Sequence, residues 1–192
     1  MPNKLVRTFI SVPVPDRVKK VKQMLFSTLE GEKVKIKWVR NIQIHLTLKF
    51  LGFTPDIDIN RLKGIIADVT AKFEPFELTI RNTGCFPLPN RPRVLWLGVN
   101  DEKNQLALLV NDLEQVLEGE GFPIADKPFS PHITLARISY PQKYTPNISR
   151  YLQSSYDEIV LPLNRVQFFS SELLPFGAVH TLLGTFPMGE NI

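Results

Sequence analysis

The chain has 192 residues, 43% of them hydrophobic, with a net charge of +4, three histidines and one cysteine. That length and composition suit one domain or two small fused lobes and exclude a disordered chain, while a single Cys85 excludes an intramolecular disulfide framework. The mild basic excess, with a pI near 9.2, favours polyanionic partners such as nucleic acid without specifying one.

The opening stretch MPNKLVRTFISVPVP has an apolar run broken by Lys4, Arg7, Pro13 and Pro15. It reads as neither a signal peptide nor a membrane span, so a cytoplasmic protein with no membrane partner is expected. Within it, Val6, Ile10 and Val12 alternate with Arg7, Phe9 and Ser11, the pattern of a half-buried strand. Asp16 is the expected N-cap of a helix striped by Val18, Val21, Leu25 and Leu29, with Gly31 as its stop. Val34, Ile36 and Trp38 predict a second strand, and residues 42–51 a third.

Leu62, Ile65, Ile66, Val69 and Phe73 recur at helical spacing. Residues 76–81 alternate as a strand, GCFPLPNRP reads as a loop, and residues 94–99 form an apolar run suited to a buried strand. Asp101 can cap a third helix with the stripe Leu106, Leu109, Val110, Leu113 and Leu117. Residues 131–138 predict a strand and 148–153 a short helix, and strands near 159–170 and 179–186 close the chain. Adjacent strands with short connections imply antiparallel pairing, hence an α+β fold rather than a doubly wound parallel sheet.

Two short segments echo each other, QIHLTL at 43–48 and SPHITL at 130–135. Residues i and i+2 of a strand share a face, so His45 projects with Thr47, and His132 with Thr134, while Leu46, Leu48, Ile133 and Leu135 point into a core. Two lobes can set these polar pairs across a groove. The chemistry that suits them is the opening of a cyclic phosphodiester without a metal. One imidazole takes a proton from water and the other gives one to the leaving oxygen, since histidine titrates near neutrality. The threonine hydroxyls can donate to the non-bridging phosphate oxygens. A single His-x-Thr is more often a structural feature, but these two copies hold two of the chain's three histidines on the same apolar flanks.

On these residues the chain resembles the two-histidine phosphoesterase superfamily, and most closely the RNA 2′,3′-cyclic phosphodiesterases, long called 2′-5′ RNA ligases. RTFISVPVP is similar to the family's first strand, KWVRNIQIHLTLKFLG to its first motif with flanks, and FPLPNRPRVLWLGV to its middle segment. GFPIADKPFSPHITLAR resembles its second motif and LLGTFPM its last strand; VRNIQIH departs from it in lacking the prolines common there. The resemblance implies a single bilobal domain over residues 1–192 with pseudo-two-fold symmetry and a central groove, one lobe carrying the 45–48 motif and the other the 132–135 motif. It implies hydrolysis of a 2′,3′-cyclic phosphate at an RNA end to a 2′-phosphomonoester, with His45 as proton donor, His132 as proton acceptor, and Thr47 and Thr134 holding the phosphate. Reversible 2′-5′ ligation, with tRNA fragments among the partners, is a family side activity. Two alternatives stand beside this reading: an enzyme for small cyclic nucleotides or tRNA halves, and a non-catalytic RNA-binding module.

Other residues are candidates for substrate contact. Arg137 can reach the groove only if its strand bulges after Leu135, whereas Lys49 by simple alternation shares the face of His45 and Thr47. Phe9 and Phe129 could stack a base, although core packing is the better expectation for each. Arg91 and Arg93 could bind RNA backbone from a loop, and His180, alone on its strand, reads as structural. No metal-ligand cluster and no GxxxxGK[ST] loop is present, so neither a metal, ATP nor another cofactor is expected, and a monomer is the expected state.

Overall fold

A computed structural model describes residues 4–175 and 177–189. The chain runs β1 (Leu5–Pro13), α1 (Arg17–Ser27), β2 (Ile36–Trp38), β3 (His45–Pro55), α2 (Ile59–Thr70), β4 (Phe76–Phe86) and β5 (Val94–Asn100). It continues with α3 (Gln105–Gly119), β6 (His132–Ile138), α4 (Ser149–Leu152), β7 (Ile159–Leu163), β8 (Arg165–Leu174) and β9 (Gly177–Pro187). Among the described residues, nine strands form one strongly curled antiparallel sheet in the order β7-β4-β5-β6-β3-β1-β8-β9, with β2 paired to β6 beside this path. The class is α+β, as the short connections between strands imply. Among the described residues no helix is long and apolar enough to cross a membrane.

The sheet is organised about its centre. β3 and β6 are its middle strands and touch through one bridge, Leu46 to Ile133. From there β3 continues to β1, β8 and β9, and β6 to β5, β4 and β7, so the order reads alike in both directions. Leu46, Leu48, Ile133 and Leu135 are buried on the face covered by helices, α3 packing on β3 and α2 on α3 and β9. The helical stripes lie where the spacing puts them: Val18, Val21 and Leu25, then Leu62, Ile66 and Val69, then all five stripe residues of α3 are buried. Burying each such side chain stabilises the fold by about 1.5–3 kcal/mol.

Several boundaries differ from the sequence expectation for local reasons. α1 ends at Ser27, and residues 28–31 form a turn in which Gly31 takes φ +85°. Asp16 stands at the N-cap position but makes no capping bond; its carboxylate meets Lys19 at 2.5 Å instead. Asp101 does serve α3, accepting from the Ala107 amide at 2.9 Å, although the helix begins after Asn104. β4 runs on to Phe86 because Asn82, at φ 62°, forms a bulge that hides the alternation of its second half. Two strands divided at Asn164 occupy residues 159–174, and Pro162 is accommodated because β7 is an edge.

Candidate active site

β-bulges in the two central strands decide what faces the groove. In β3, Ser11 pairs with Thr47 and Ile10 with Lys49, leaving Leu48 unpaired. In β6, Trp96 pairs with Thr134 and Leu95 with Ala136, leaving Leu135 unpaired. Each bulge falls on the leucine that ends a His-x-Thr-Leu segment. An extra residue shifts the following side chains to the opposite face.

The consequences for the candidates are specific. Arg137 comes round to the side of His132 and Thr134 and lines the groove. Lys49, expected beside His45, turns away. Its side chain is 2% exposed and paired with Glu114, and its ammonium also donates to the Pro123 carbonyl at 2.8 Å. Phe50 takes the groove position that Lys49 was expected to hold. Phe9 lines the wall but is 3% exposed, and its ring stacks on His45 at 4.9 Å and on Phe169 at 5.4 Å, so those neighbours take the place foreseen for a base. Phe129 packs against the core and is absent from the groove wall. Arg91 and Arg93 also lie outside it, with their guanidiniums 5.3 and 5.8 Å from the Tyr140 ring.

His45, Thr47, His132 and Thr134 all line one groove of about 730 Å³. Around the Leu46–Ile133 bridge, antiparallel register sets His45 across from Thr134 and Thr47 across from His132. The rings are anchored alike. Nδ1 of His45 lies 2.8 Å from the Gln43 carbonyl and Nδ1 of His132 lies 2.7 Å from the Ser130 carbonyl. A carbonyl only accepts, so Nδ1 carries the hydrogen in each ring and Nε2 is left free for chemistry. Arg7, Lys37, Arg40 and Arg137 stand around the four side chains, and no Asp or Glu lines the groove among the described residues. Such a wall attracts a polyanion and stabilises charge that develops at a phosphate.

The two rings sit in different aromatic settings. His132 meets Phe86 edge-on at 5.0 Å and lies 6.4 Å from Trp96, whose ring covers Gly84 so closely that a Cβ there would come within 2.1 Å of it. His45 lies against Phe9 and 5.6 Å from His180, a third groove histidine that the sequence assigned to structure. Only the pairing of β8 with β9, and of β8 with β1, brings His180 there. The β9 end of that hairpin is tied back by Arg40, which donates to the Ala178 carbonyl at 2.7 Å.

Burial first, then the positive neighbour His180, pushes His45 down to about 4 from 6.5, against the pull of its bond to Gln43. His180 is lowered too, by burial and by Arg40. Between those two values for His45 the unfolded chain binds the proton more readily than the folded one. Stability is therefore expected to be full above pH 6.5 and to fall as the pH drops toward 4, by on the order of 3 kcal/mol. Urea denaturation at stepped pH measures this, and His45→Gln should flatten much of the slope.

No three His, Cys, Asp or Glu side chains converge as a metal site among the described residues.

A curled antiparallel sheet that presents a His-x-Thr pair from each of its two central strands into one basic groove defines a phosphoesterase of the two-histidine class. The chain belongs to the 2′-5′ RNA ligase superfamily, whose family model matches residues 13–173. A protein named RNA 2′,3′-cyclic phosphodiesterase from Thermotoga maritima is 31% identical over 93% of this chain and 93% of its own. One of the same name from Methanothermobacter thermautotrophicus is 28% identical over 94% of this chain and 98% of its own. Among solved structures, a Thermus thermophilus protein superposes with a TM-score of 0.75 at 29% identity, covering 97% of this chain and 100% of that one. E. coli LigT shares the fold, with a TM-score of 0.69 at 20% identity over 97% of this chain and 99% of its own.

Proposed function

We propose that the protein opens 2′,3′-cyclic phosphates at RNA ends, leaving a 2′-phosphomonoester, by acid–base catalysis between His45 and His132 without a metal. The observation that carries the reading is the matched presentation of the two motifs, with both Nε2 atoms free and both threonines beside them in one cationic groove. The relatives named RNA 2′,3′-cyclic phosphodiesterase support the substrate class. In the resting groove His45 is neutral at pH 7. A bound phosphate anion raises its proton affinity, which lets it protonate the departing 3′ oxygen while His132 takes a proton from water. Thr47, Thr134 and Arg137 hold the phosphate oxygens. The two halves of the sheet act as lobes of one domain, and the protein works as a cytoplasmic monomer, with tRNA fragments among its substrates. With a ribose 5′-hydroxyl in place of water as the nucleophile, the same ring-opening steps join RNA ends through a 2′-5′ bond, and run backwards they cleave it.

One observation favours a second assignment of roles. A ring that is neutral when the groove is empty is already a base, so His45 would take the proton from water and His132 would donate. Titration of the His45 ring by NMR, with and without inorganic phosphate, separates the two. A ring that stays neutral at pH 7 with phosphate bound supports the second; one that gains a proton supports the first.

The activity itself is tested with purified protein, an oligonucleotide ending in a 2′,3′-cyclic phosphate, and EDTA. Ring opening to the monoester is expected. An intact ring after prolonged incubation overturns the proposal, and tight binding without product would point to a binding module.

A further inference from the structure

The two motifs present their rings alike, and nothing in His-x-Thr itself decides which ring gives a proton and which takes one. Each Nδ1 is held by the carbonyl two residues before it, so the difference has to come from what surrounds the rings. The third and last histidine of the chain supplies one, on one side of the groove only. β9 pairs along the whole of β8 and sets His180 opposite Ser171, which brings its ring edge-on to His45 at 5.6 Å and to Phe9 at 4.9 Å. On the other side β7 pairs with β4 over residues 76–80 and stops short of Phe86, the residue whose ring meets His132.

His180 is also fastened to the anchor of the ring it faces. Gln43 lends its carbonyl to Nδ1 of His45, and its side-chain amide donates to the Ala178 carbonyl. Arg40 donates to that same carbonyl at 2.7 Å, and through Nε to the Gln43 side-chain oxygen at 3.1 Å. Ala178 and His180 stand two apart on one strand and share its face. The knot of Arg40, Gln43 and Ala178 therefore fixes how closely the two imidazoles approach.

No carboxylate balances this cluster. Around the two rings stand Arg7 from β1, Lys37 from β2, Arg40 from the segment before β3, and His132 and Arg137 from β6. Lys19 of α1 lines an adjoining cavity of about 250 Å³ that His45 and His180 also border. Among the described residues no Asp or Glu lines either space. Two imidazoles so close in a wholly positive setting do not both hold a proton near neutrality, since charge on one raises the cost of charge on the other.

We propose that His180 is a positioning residue, pressed against His45 by Gln43 and Arg40, that sets the charge His45 can carry and so gives two matched histidines different roles. The inference rests on the ring-opening reading above and holds under either assignment of acid and base.

The test compares wild type, His180→Gln and His180→Glu in two measurements: kcat against pH on the cyclic-phosphate oligonucleotide, and NMR titration of the His45 ring in the free protein. Glutamine keeps a polar side chain that cannot take a charge, and glutamate places a negative one there. Losing a like charge eases protonation of His45, and gaining an opposite charge eases it further. Its titration should therefore move to higher pH with glutamine, and further, by about one unit, with glutamate. One limb of the pH profile should move with it and the other should move less: the acid limb if His45 is the base, the alkaline limb if it is the acid. His180 is only half-buried, so both variants should fold. A merely structural role predicts a lower kcat with both limbs where the wild type has them. That result, or a His45 titration alike in all three proteins, overturns the inference. The titration needs no turnover, so a wild type that opens no ring while His45 shifts as expected would remove the activity and leave the coupling of the two rings standing.

Discussion

Replacing His45 or His132 by alanine is expected to lower kcat for cyclic-phosphate opening by about 10²–10⁴ each, with KM changed little. Each ring has a free Nε2 because its Nδ1 is committed to a backbone carbonyl, and no carboxylate lines the groove among the described residues to take over a lost proton transfer. The double variant should be little slower than the worse single, because in the proposed mechanism donor and acceptor act on the same ring-opening step and removing either disables it. Steady-state kinetics on the oligonucleotide measure all three. His45→Ala also leaves a void against Phe9, so His45→Gln serves as the variant that keeps packing while losing the proton transfer. Full activity in either alanine variant would end the two-histidine mechanism.

What the sequence made legible was whatever depends on local period. The His-x-Thr pairs stand out because four residues of alternation suffice to put two polar groups on one face and two leucines on the other, and the chain keeps that alternation through Thr47 and Thr134. The helix stripes are legible for the same reason. Legibility fails one residue further on. A bulge is a property of pairing between strands, and nothing in TLKF or TLAR marks the leucine as the unpaired residue. Counting by twos therefore put Lys49 in the groove and kept Phe50 out. Two consecutive apolar residues in TLAR, Leu135 and Ala136, were the available hint in β6, and both are buried. His180 was hidden by distance along the chain: its groove position is set by a hairpin that must first pair with β1. The aromatic stack of Phe169, Phe9 and His45 draws on three strands and has no local signature at all.

Lys49 carries the other large prediction, and it concerns stability. Its ammonium is almost wholly enclosed, and Glu114, 12% exposed, receives both that ammonium and the Ala125 amide at 3.2 Å. The pair ties the strand of the first motif to α3 and to the segment that leads on to the second. Lys49→Met keeps the stem and removes the charge, leaving the Glu114 carboxylate enclosed without its cation. Breaking one side of such a pair costs about 3–5 kcal/mol, so in a chain of this size the midpoint of thermal unfolding should drop by roughly 10 °C. Lys49→Met combined with Glu114→Leu should recover most of the loss, because the enclosed charge goes with its partner and apolar groups fill the space. A double variant no more stable than the single would show that the bonds to Pro123 and Ala125, rather than the charge pair, hold this junction together. Ala136 occupies the equivalent place in β6, so the tie exists on one side of the sheet only. Bulging had the same geometric effect in both strands: it turned a side chain into the core, and at Lys49 that side chain was charged and had to find a partner there.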